Sequence, residues 1–135
     1  QWKSQKLVQL SVDHTVMQEL IDQGRLTPEE ALVHPQRSLL TQALMGDSGI
    51  DPMLLVFSAN IGDQYLLCSD GLNAVLSDHE IATVIKKYEG KHEDLLDALI
   101  DATKAKGAPD NITLVWAEVV DTKTDDGVVL LGAAK

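Results

Sequence analysis

Gly62-Asp63-Gln64-Tyr65-Leu66-Leu67-Cys68-Ser69-Asp70-Gly71-Leu72 and, downstream, Gly107-Ala108-Pro109-Asp110-Asn111-Ile112-Thr113 are the stretches on which the fold turns. In the first, a short apolar run from Tyr65 to Cys68 predicts a strand that ends at a Ser-Asp-Gly turn. The second leads into Ile112–Val120, apolar on both alternating faces, which predicts a strand buried on both sides of a sheet. An aspartate at a strand end is held rigidly yet faces space that a ligand can enter, and Gly71 permits close backbone approach. Asp70 and Asp110, on neighbouring strands, can share a hard cation such as Mg²⁺ or Mn²⁺, which takes oxygen ligands. Ser-Asp-Gly is equally a common turn and Asp-Asn a common loop, so residue chemistry alone leaves both readings open.

Working outward, helices flank these strands. Val16, Met17, Leu20 and Ile21 share one side of a helix that stops at Gly24. Thr27-Pro28-Glu29-Glu30 is a capping box with proline at the first helical position, and Pro35 keeps that helix short. Ser77-Asp78-His79-Glu80 is a second box, followed by Ile81, Val84, Ile85 and Tyr88 at helical spacing. His92 to Lys106 is a further helix with Leu95, Ala98, Leu99 and Ala102 inward and Gly107 behind it. Met53–Phe57 is expected to form a hairpin with Tyr65–Cys68 through Asn60-Ile61-Gly62-Asp63. Helices, strands, helices and a strand, without strict alternation, predict a layered α+β fold.

Composition narrows the function classes. The chain has 135 residues, 11 Lys+Arg against 21 Asp+Glu, and a net charge of −10. Its length suits one domain, and the acidic balance argues against nucleic acid or an anionic membrane as direct partner. Cys68 is the one cysteine, which excludes an intrachain disulfide and fits a reducing, cytoplasmic compartment. No signal peptide and no spanning run is visible, and the start at Gln1-Trp2 is expected of a processed or excised chain.

The two quoted stretches resemble the C-terminal signatures of metal-dependent serine/threonine protein phosphatases, the PPM or type-2C family. Asp13-His14 through Gly24, then Leu26–Ala31, His34-Pro35 and Leu40–Leu44, is similar to the flap segment of bacterial members. The acidic stretch from Asp121 with Val128–Ala134 looks like the tail of actinobacterial members, where a transmembrane segment often follows. The resemblance thus divides the chain into 1–120, the C-terminal part of a catalytic domain with a flap over about 12–45, and 121–135, an acidic linker and tail.

This resemblance implies part of an α-β-β-α sandwich in which two or three Mn²⁺ or Mg²⁺ ions activate a bridging water against phosphoserine or phosphothreonine. It implies that Asp70 and Asp110 hold a common ion and that Asn111 ties down its loop. It implies phosphoprotein substrates of a Ser/Thr kinase, and a parent chain membrane-anchored through a segment after Lys135. The family's phosphate-gripping arginine, metal-bridging Asp-Gly motif and Gly-Asp-Ser-Arg strand have no counterpart here, while Gln1 to Leu10 resembles the end of the hairpin that follows the last. The chain is therefore expected to be a fragment, inactive alone, with an uncovered half that invites dimerisation. Two other readings share the fold: a non-catalytic interaction module, and a regulatory phosphatase of the anti-sigma type.

Other residues carry duller expectations. His14, His34, His79 and His92 show no zinc-like spacing, and His34 is expected to shape a turn. Arg25 and Arg37 read as surface residues, Cys68 as a small buried hydrophobe, Trp116 as core, and Trp2 as an exposed remnant of an interface.

Overall fold

The computed structural model describes residues 1–43, 49 and 51–121, divided between two compact units. The predicted tail over 128–134, most of the acidic linker, and Leu44 at the end of the flap motif lie outside the described residues.

The first unit comprises residues 1–8 and the described residues from Ser58 onward. It opens with a hairpin of β1 (Trp2–Lys3) and β2 (Lys6–Leu7), joined by Ser4 and Gln5 at φ 50° and 60°. Downstream of the second unit, which holds α1 (Val16–Asp22) and α2 (Pro28–Val33), come β3 (Gln64–Cys68) and the short α3 (Asp70–Asn73). Then follow α4 (Asp78–Lys87), α5 (His92–Ala105) and β4 (Leu114–Glu118). The strands form an antiparallel sheet in the order β2-β1-β3-β4. The β3–β4 register runs from Gln64 opposite Glu118 to Cys68 opposite Leu114.

Period-2 alternation sends Leu66, Leu114 and Trp116 to the face on which the helices pack. There they meet a buried cluster of Trp2, Leu72, Leu76, Ile81, Ile85, Leu95 and Leu99. Both long helices present their apolar faces as the spacing predicts. Thr103, absent from the sequence-derived core, is also fully buried, its hydroxyl donating to the Leu99 carbonyl at 2.8 Å. That back-bond satisfies the hydroxyl within the helix, which is what lets a threonine sit there.

In α4 the predicted capping box forms: Ser77 Oγ accepts from the Glu80 N–H at 3.4 Å, and Glu80 Oε2 accepts from the Ser77 N–H at 3.0 Å. The other oxygen of Glu80 holds Lys106 at 2.6 Å, tying the start of α4 to the residue after α5.

In the second unit, residues 9–57, Thr15 caps α1, accepting from the Gln18 N–H at 3.1 Å. Gly24 takes φ +66°, the left-handed conformation predicted for it. The Thr27–Glu30 box caps α2, and His34, extended at ψ 134° before Pro35, ends it. Nδ1 of His34 accepts from the Gln36 N–H at 3.2 Å, as a turn-shaping role requires.

Four expectations fail. Met53–Phe57 lies outside the sheet, with Leu54 85% and Val56 101% exposed. Apolarity alone does not make a strand: a strand also needs a bonded neighbour, and the sheet β2-β1-β3-β4 does not include this run. The last strand is buried on one face only: Val115 is 53% exposed, because α4 and α5 pack on the opposite side. Trp2 is buried, at 5% exposure, because pairing with Gln64 places its ring over the helices. Cys68 is exposed as well, at the end of β3.

Candidate metal centre

Asp70 and Asp110 both lie where the antiparallel strands β3 and β4 meet the loops at one end of the pair. β3 ends at Cys68, Ser69 is the cap residue of α3, and Asp70 is its first residue. On the other strand, Asp110 and Asn111 precede β4, which starts at Leu114.

Ser69 draws these segments together. Its N–H donates to the Thr113 carbonyl at 3.0 Å, and its hydroxyl accepts from the Thr113 N–H at 3.0 Å. The same hydroxyl donates to the Asn111 carbonyl at 3.1 Å. Thus the residue before Asp70 is bonded to the residue after Asp110. Ser69 makes no side-chain bond to its own helix; its hydroxyl is spent on the cross-strand link. This role is not legible in the sequence, where the only local signal of Ser69, a serine ahead of a helix, points to capping instead.

Gly71 completes the approach. A Cβ at this position would meet the Asn111 carbonyl oxygen at 2.1 Å. The glycine expected to permit close contact does so against the loop that carries Asp110. Asn111 was expected to tie down this loop through its carboxamide. The bonds that hold it run instead through its backbone, whose N–H donates to Asp110 Oδ1 at 2.7 Å.

Both aspartates are exposed. Their carboxylate oxygens are the hard donors that Mn²⁺ and Mg²⁺ prefer, so they fit such an ion in kind. They fall short in number: among the described residues no three His, Cys, Asp or Glu side chains are grouped to hold a metal. The histidines are spread through the chain, and His92 is engaged with Glu118 at 3.2 Å.

At the opposite end of β3 lies a carboxylate the sequence did not mark. Asp63 is 3% exposed and accepts from the Asn60 N–H at 3.0 Å, from Lys3 Nζ at 2.9 Å and from Gln1 Nε2 at 3.2 Å. The Asn60 N–H, then Lys3, hold its carboxyl below the usual carboxylate range. It fastens β1 to the start of β3.

No protein-family model matches the chain. The serine/threonine protein phosphatase PstP of Mycobacterium tuberculosis is 45% identical over 116 residues, 86% of this chain and 22% of that protein. The protein phosphatase PhpP of Streptococcus pneumoniae is 36% identical over 106 residues, 78% of this chain and 43% of that protein. Among solved structures, the M. tuberculosis phosphatase PstP/Ppp matches with a TM-score of 0.82 at 40% identity, covering 88% of this chain and 49% of that one. The PstP catalytic domain in complex with two manganese ions matches with a TM-score of 0.76 at 38% identity, covering 89% of this chain and 48% of that one. The chain spans about half of these solved structures, and less than half of the curated relatives.

Proposed function

We propose, from the premise that this chain is homologous to bacterial PPM-type serine/threonine phosphatases, that it is the C-terminal half of such a phosphatase domain and carries part of its metal site. In this reading Asp70 and Asp110 are metal ligands, residues 1–120 are the C-terminal part of the catalytic domain, and about 12–45 is its flap. The reaction is hydrolysis of phosphoserine or phosphothreonine on the targets of a Ser/Thr kinase. The chain works in the cytoplasm, and its parent is anchored through a segment after Lys135.

The observation that carries the reading is the Ser69 clamp, which sets the backbones bearing both aspartates side by side at one end of the antiparallel β3–β4 pair. Bound there, Mn²⁺ or Mg²⁺ supplies positive charge for a phosphoryl group and lowers the pKa of a coordinated water. What these residues do is offer anionic oxygens from a rigid frame. Asp110 keeps one oxygen on the Asn111 N–H, which fixes the orientation of the other. An acidic chain can serve an anionic substrate in this way because the ion inverts the local sign. The shortage of donors among the described residues supports an isolated chain that does not turn over, as the interaction-module reading also has it.

Calorimetry with Mn²⁺ on the 135-residue chain tests the assignment. Weak binding, with Kd on the order of millimolar, is expected, and Asp70→Asn or Asp110→Asn should abolish it. In a chain joining these residues to the rest of the domain, either substitution should lower turnover by orders of magnitude. An unchanged rate in both variants would overturn the site, and robust turnover by the 135-residue chain alone would overturn its reading as a half.

A further inference from the structure

The bonds of Ser69 do not end at the backbones they join; they continue to a carboxylate. Its hydroxyl is used in both directions, donating to the Asn111 carbonyl at 3.1 Å and accepting from the Thr113 N–H at 3.0 Å. Asn111 passes the constraint on, since its own N–H donates to Asp110 Oδ1 at 2.7 Å. The amide that orients the Asp110 carboxylate thus belongs to the residue whose carbonyl Ser69 fixes. Gly71 closes the other side, where a Cβ would meet the same carbonyl oxygen at 2.1 Å. Held by a bond and crowded by backbone, the Asn111 carbonyl has little room to turn. On its own strand, Ser69 accepts from the Leu72 N–H through its carbonyl at 3.1 Å, which sets the start of α3 and Asp70 with it.

We propose that Ser69 is a positioning residue for the metal centre: through the Asn111 peptide it fixes the direction of the Asp110 carboxylate and its separation from Asp70. The proposal rests on the phosphatase reading above, in which both aspartates are ligands. The Ser69 hydroxyl, engaged with two backbone groups, supports those ligands and is not one of them. Few side chains can do this. Threonine keeps a hydroxyl that both donates and accepts, a cysteine thiol does both weakly, and alanine does neither. Among the described residues no third His, Cys, Asp or Glu side chain is grouped with the two aspartates, so an error in the aim of either is not made good by another. Partners that orient metal ligands matter for this reason, and losing one typically weakens metal affinity by about 10–100-fold.

The test adds Mn²⁺ to the isotopically labelled 135-residue chain and follows the paramagnetic broadening of the Asp70 and Asp110 amide signals. Ser69→Ala should shift the Asn111 amide signal before any metal is added. It should then need at least about tenfold more Mn²⁺ for the same broadening. Ser69→Thr should restore both, because it restores the hydroxyl. The far-ultraviolet circular dichroism of Ser69→Ala should match the parent chain; if it does not, Ser69→Cys, kept reduced, serves instead with the same expectation. Parent-like Mn²⁺ binding by the folded variant, an unmoved Asn111 signal, or a threonine variant no better than alanine would each overturn the proposal. Asp70→Asn and Asp110→Asn separate it from the reading beneath it. If both abolish the broadening while Ser69→Ala leaves it intact, the role of Ser69 alone falls. If neither changes the broadening, the aspartates are not the ligands, and the site reading falls together with the role of Ser69.

Discussion

At Gly71 the backbone of one loop occupies the space a side chain would need, since the Asn111 carbonyl oxygen lies 2.1 Å from where a Cβ would be. Its φ is not in the left-handed region, so the need for glycine is one of room. Gly71→Ala must push the Asp110 loop away and strain the Ser69 bonds to Asn111 and Thr113. We expect a loss of about 1–3 kcal/mol in urea unfolding, with the backbone amide signals of Asn111 and Thr113 shifting most. A variant as stable as the parent would mean that the loops stand further apart. Trp116 offers the opposite case. Among the described residues its buried indole N–H has no partner, so Trp116→Phe removes an unsatisfied donor along with some packing. The two effects oppose, and the variant should stay within about 1 kcal/mol of the parent, whereas Trp116→Ala should lose about 3–5 kcal/mol.

Among the elements, the capping boxes were the most legible, because each is specified by residues three apart and needs no distant partner. The α4 box carries a pH dependence. Lys106 first, then the Ser77 N–H, pull the Glu80 carboxyl down to about 2 from 4.5. A depressed carboxylate adds stability that is present above its unfolded pKa and lost as pH falls through the folded value. The melting temperature should therefore decline between pH 4.5 and about 2, and less steeply in Glu80→Gln. An identical decline in both proteins would remove Glu80 from the account. Strand assignment at Met53–Phe57 failed for the converse reason: its composition is that of a strand, but pairing depends on which edge is free elsewhere in the chain. Asp70 and Asp110 were legible as candidates by their places at strand ends. Ser69 and Asp63 were not, since their roles lie in bonds to residues 42 and 60 positions away. The β1–β2 hairpin shows a local compromise. Ser4 and Gln5 both take positive φ, which side chains disfavour and which Asn-Gly adopts readily. Replacing Ser4-Gln5 by Asn-Gly should stabilise the chain by about 0.5–1 kcal/mol, read as a higher urea midpoint with an unchanged slope.

Over the whole molecule the burial is uneven. The unit built from residues 1–8 and the region after Ser58 contains the cluster from Trp2 to Leu99, seven buried hydrophobic side chains. Among the described residues of the other unit only Met17 and Ala31 are buried hydrophobics, at 4% and 9% exposure. At roughly 25 cal/mol per Å² of apolar area, the first core stabilises its helices far more than two residues stabilise α1 and α2. Their capping bonds at Thr15 and Thr27 are local, and they hold the helices' shape without resisting their opening as units. Opening free energies within one chain spread according to such differences. Native-state hydrogen exchange should show this order directly. The amides of α1 and α2 should exchange through openings of low free energy that respond little to urea, while those of α4 and α5 exchange only near global unfolding. Protection of α1 equal to that of α5 would mean that the two units open together, and that the burial seen within each one is not what governs its stability.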